Sequence, residues 1–205
     1  MEESTSREKV LKKIRNALKE RCDPPFPILD EEAPIFKPIT EPLDVVFAEE
    51  FLRADGKFIY SESVDEFTGM LKSFILERDW PILHCYDPQL HSMLREAGIP
   101  FESEPNQCED MKIGIIRCEY LIAQTGSIIV SSRISPGRTI TIVPEILLIV
   151  AWTSQLMPDL MHAFQAIQQK YSDSFPSLIS ILTGAEKPKE RYLFLIEDED
   201  QTERI

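Results

Sequence analysis

Glycine is scarce in this chain, seven residues in 205, and the fifteen prolines follow no internal repeat, which excludes collagen-like and glycine-rich linker architectures. Basic charge is also short: 22 Lys and Arg stand against 35 Asp and Glu, a formal net charge of −13. So acidic a chain repels phosphate backbones and anionic lipid surfaces, so neither nucleic acid nor a membrane is an expected partner. The longest apolar run, Ile146 to Trp152, falls far short of the roughly 20 residues that span a bilayer. The acidic opening Met1-Glu2-Glu3-Ser4 is followed by no apolar stretch of signal-peptide type, and the cytoplasm is the expected compartment. Cys22, Cys85, Cys108 and Cys118 make no C-x-x-C pair, so their spacing nucleates no metal site, and buried or free thiols are expected over disulfides. Spacing does not bring His84, His91 and His162 together either. Patterns of the P-loop, G-x-G-x-x-G, G-x-S-x-G and H-E-x-x-H types are missing, and no cofactor is evident.

What the chain does have is a core. It is 43% hydrophobic and 9% aromatic, at a length suited to one domain with a small N-terminal appendage. Val10, Leu11, Ile14 and Leu18 recur at helical spacing within residues 4–21, where basic residues outnumber acidic ones. This predicts an amphipathic helix that covers a surface of its own acidic body or docks as an arm on a neighbouring subunit. Pro24, Pro25, Pro27, Pro34, Pro38 and Pro42 then force an extended strap. The division is therefore an arm and strap over 1–43 and an α/β domain over 44–205.

From residue 44, helical and apolar extended stretches alternate. Helices are expected over 44–53, after Ser63, and over 87–97, the last closed by Gly98; strands are expected over 57–60 and 81–85. That rhythm argues for parallel strands with helical crossovers. The texture then changes. Apolar runs at 112–116, 120–123, 127–130, 138–143 and 146–150 follow at short intervals, which predicts some antiparallel or meandering sheet. Helices are expected over 160–171 and 175–182, a final strand over 191–196, and a solvated acidic tail after it.

The stretch Cys118 to Pro144 carries the most chemistry. Gln124-Thr125-Gly126-Ser127 sets polar side chains and a glycine between two apolar segments, where glycine permits a tight bend or close backbone approach to a ligand. Ser135-Pro136-Gly137-Arg138 closes a small-residue loop whose backbone N–H groups and guanidinium suit a phosphate or carboxylate. A plain β-hairpin with Pro-Gly as its turn accounts for the same residues. Gln124, Thr125, Gly126, Ser127, Ser135, Gly137 and Arg138 are the candidate ligand-binding residues.

Ala123-Gln124-Thr125-Gly126-Ser127, Pro136-Gly137-Arg138 and Val143-Pro144, with the N-terminal helix and strap, resemble the LUD domain of lactate utilization protein C and its relatives. The resemblance implies a three-layer α/β/α sandwich with a mixed sheet, of the kind shared with ribose-phosphate isomerases, glucosamine-phosphate isomerases and CoA transferases. It also implies a part in oxidising L-lactate to pyruvate alongside iron–sulfur protein subunits. Two departures stand out. The family places Glu before the Thr-Gly, and Gln124 is a carboxamide that hydrogen-bonds but acts neither as base nor as nucleophile. The family's polar segment near the C-terminus is also shortened here to Leu182–Glu190. The expectation is a subunit or accessory factor with altered or lost catalytic residues. The alternative is a stand-alone enzyme or binding protein for a small anionic metabolite such as a sugar phosphate, a carboxylate or a CoA ester.

Overall fold

The computed structural model describes residues 6–19, 38–104, 111–135, 139–184 and 188–198. Packing divides the chain into two units, Met1–Pro38 and Ile39–Ile205. In the first, α1 (Ser6–Lys19) is the expected amphipathic helix. Residues 20–37, most of the strap, lie outside the described residues.

The second unit opens with α2 (Leu43–Arg53), β1 (Lys57–Ser61), α3 (Val64–Glu77), β2 (Leu83–Cys85), α4 (Pro88–Glu96) and β3 (Phe101–Glu102). The starts of α3 and α4 follow the capping rule. Ser63 Oγ accepts from the Glu66 amide at 3.2 Å, and Asp87 accepts from the Gln89 amide at 3.0 Å ahead of Pro88. Gly98, at φ +65°, ends α4. Next come β4 (Ile113–Arg117), β5 (Tyr120–Ile122), β6 (Ser127–Ser131), α5 (Thr139–Ile142) and β7 (Ile146–Trp152). β8 (Leu156–Met157), α6 (Leu160–Lys170), β9 (Ile179–Leu182) and β10 (Glu190–Ile196) complete it.

Six strands form a wholly parallel sheet in the order β1-β10-β7-β4-β2-β3. Period-two alternation sorts its side chains. Ile113, Ile115, Leu148, Val150, Tyr192 and Phe194 face α3 and α4, meeting Phe67, Leu71, Leu90 and Leu94. Ile116, Leu147, Ile149, Leu193 and Leu195 face the other way, toward Phe47 and Phe51 of α2 and Ile140 of α5. On this second face lies a smaller sheet in the order β8-β5-β6-β9, in which the expected antiparallel pairing occurs between β5 and β6 and between β6 and β9. Leu121, Ile128 and Val130 point into the shared core, while Ile122 and Ile129 point outward to Ala163 and Ile167 of α6. The architecture is thus mixed α/β around a parallel central sheet, with one helical layer replaced in part by a small sheet that carries its own helix.

Two local expectations are corrected. Residues 138–143 read as a β-branched strand, yet Thr139–Ile142 is one helical turn. The cause lies in β4: Gly114 leaves a hollow into which Ile140 and Pro144 settle, and a Cβ there would stand 2.9 Å from Ile140 Cγ1. Tertiary packing overrides propensity. Residues 175–182 read as a helix, but Ile179–Leu182 extends along the free side of β6 from Ser131 to Ile128 and completes its hydrogen bonds.

Gly126 is the position where conformation and space coincide. Its φ is +60°, and a Cβ there would stand 2.5 Å from the Phe51 amide nitrogen and 2.9 Å from the Phe51 Cα. The close backbone approach that glycine permits is therefore made by α2 of the same chain. Gly126→Ala combines a left-handed backbone with overpacking against a helix backbone and should cost roughly 2–5 kcal/mol in urea denaturation. Gly98→Ala is the control: its φ is +65°, but nothing lies within 4 Å of the added Cβ. Only the backbone term remains there, about 1–2 kcal/mol.

Candidate functional site

Open parallel sheets bind ligands beyond the carboxyl ends of their strands, so the site search begins where β2, β4 and β7 end. β2 runs into Asp87, which takes a two-pronged ion pair from Arg117, the last residue of β4; Nε donates to Oδ2, and Nη2 donates to Oδ1 at 3.1 Å. Asp87 is buried and also caps α4, so one carboxylate ties two strand ends to a helix start.

Two residues past Arg117 comes Glu119, its side chain wholly buried. Three donors surround it: Ser131 Oγ, Lys170 Nζ at 2.8 Å and Tyr171 OH at 2.8 Å. The Gln155 carboxamide, just after β7, donates to the carbonyls of Cys118 at 2.7 Å and Glu119 at 3.1 Å, while its own oxygen accepts the Trp152 amide at 2.7 Å. These contacts lock the corner at which β4 leaves one sheet and β5 enters the other. A carboxylate so enclosed has no open side for a substrate proton; it is a clamp.

The candidate residues divide between the ends of β6. Gln124 and Thr125 lie in a 3-10 turn between β5 and β6, where Gln124 N donates to the Pro158 carbonyl at 3.1 Å and Thr125 Oγ1 donates to Ser127 Oγ at 2.7 Å. Gly126 is packed against α2, and Ser127 is buried. Ser135 lies at the far end, buried, its amide donating to the Ser131 carbonyl at 3.0 Å. Four residue steps along β6 carry the chain from Ser127 to Ser131, about 13 Å. The structure therefore brings Gln124, Thr125, Gly126 and Ser127 together and sets Ser135 apart. Gly137 and Arg138 lie outside the described residues. Among the described residues no histidine or carboxylate hydrogen-bonds to Thr125 or Ser127, so the turn holds hydrogen-bonding groups without a base to activate a hydroxyl.

The histidines are held separately. His91 Nε2 lies 2.8 Å from the Cys85 carbonyl, His162 Nδ1 2.8 Å from Asp159, and buried His84 Nδ1 3.8 Å from Glu102. Among the described residues no group of three or more His, Cys, Asp or Glu could hold a metal ion, and no helix is long and apolar enough to cross a membrane. Cys85 and Cys118 are free thiols, each pushed up to about 12, chiefly by burial. Sequence reasoning passed over Glu119 and its partners. One cue was available, an acid and a cysteine interrupting the apolar run from Ile113 to Ala123; the partners Lys170 and Tyr171, about fifty residues on, carry no linear signal.

Two predictions follow from this geometry. Burial alone lowers Lys170, but the hydrogen bond and charge of Glu119 outweigh it and hold the ammonium above its usual 10.5. Burial, then the bond to Glu119, raises Tyr171 above 10.0. Both raised groups give stability that is present below their unfolded values and lost as pH climbs through the folded ones. Urea-unfolding free energy should therefore fall above pH 10, and Glu119→Gln should flatten that alkaline decline. An unchanged slope would remove Glu119 as its cause. The second concerns the thiols: mass mapping after treatment with a thiol reagent should find Cys85 and Cys118 labelled only as fast as the protein unfolds.

Comparison with known proteins agrees with this architecture. The sequence model of the LUD domain matches residues 4–202. The chain is 27% identical over 81 residues to the uncharacterized protein YkgG of Escherichia coli, 38% of this chain and 35% of that protein. To lactate utilization protein C of Bacillus licheniformis it is 28% identical over 80 residues, 38% of this chain and 33% of that protein. The matched stretches thus span about a third of each relative's length. Among solved structures, a DUF162 family protein from Deinococcus radiodurans superposes with a TM-score of 0.61 at 14% identity, covering 75% of this chain and 96% of that one. With the family model matching nearly the whole length, the chain belongs to the LUD domain family.

Proposed function

We propose that this protein serves L-lactate utilization as a non-catalytic or weakly catalytic subunit of a redox system that oxidises L-lactate to pyruvate. Oxidation removes two electrons and two protons from the carbinol carbon and its hydroxyl, and in this reading iron–sulfur partner subunits accept the electrons. The observation that carries the reading is the state of the polar groups around β5 and β6. Gln124 stands where the family's motif has a carboxylate, Thr125 and Ser127 bond to each other, and Glu119 is enclosed by three donors. A site arranged in this way holds shape and presents surfaces. The family membership and the name of the Bacillus relative supply the pathway.

Affinity-tagged protein recovered from its native host under gentle lysis should bring an iron–sulfur protein with it, and that assembly should reduce a dye with L-lactate while the tagged chain alone does not. Purification of the chain without partners, together with L-lactate oxidation by the isolated chain, would overturn the proposal.

A further inference from the structure

We draw no further inference here: the strongest candidate, the apolar groove between α2 and β1 lined by Val45, Leu52, Phe58 and Tyr60, carries nothing, because nothing in the structure shows what covers it.

Discussion

The approach of α2 to the turn at Gly126 is the constraint on which the rest of this fold depends. Phe51 carries its ring into the core between the two sheets while its backbone rests against the glycine that joins β5 to β6. Phe47 stacks on it at 5.5 Å between ring centroids, and buried Arg191 of β10 lies over it at 5.6 Å, its guanidinium donating to the Ala54 carbonyl at 2.6 Å. One helix is thereby registered against strands from both sheets at once. The aromatic burial supplies most of the energy, and the absent Cβ sets the distance at which that energy is available.

A second principle organises the carboxyl ends of the strands. The buried charges there occur in satisfied sets, Asp87 with Arg117 and Glu119 with Lys170, Tyr171 and Ser131. A lone carboxylate at either position would be very costly, whereas a paired one fixes the direction in which the chain leaves the sheet. Each of these two carboxylates is enclosed by its own donors rather than left open to solvent.

Much of the fold was legible in the sequence because local signals agreed with tertiary ones. Ser63, Asp87 and Gly98 mark helix ends through chemistry confined to a few residues, and the unbroken apolar run Leu147 to Ala151 reports a strand packed on both faces. The failures share a cause. Thr139–Ile142 became helical because of a hollow over Gly114, some twenty-five residues earlier in the chain, and Ile179–Leu182 became a strand because β6 needed a partner. The site was legible only in its motif. Gln124 to Ser127 do gather in one turn, but the glycine among them serves the protein's own helix, and the buried acid nearby depends on residues from the far end of α6.

The strand order has a consequence for how the molecule comes into being. β10, the last strand, lies between β1, the first, and β7, so the sheet stays divided until synthesis has delivered nearly the whole second unit. A nascent chain emerging from the ribosome would hold β1 apart from the partner that registers it, Lys57 waiting for Tyr192. So much sequence between neighbours makes closure slow and leaves two apolar strand edges open in the meantime. Once β10 is in place, Lys57 at the start of β1 and Glu190 at the start of β10 close over the junction as an exposed ion pair.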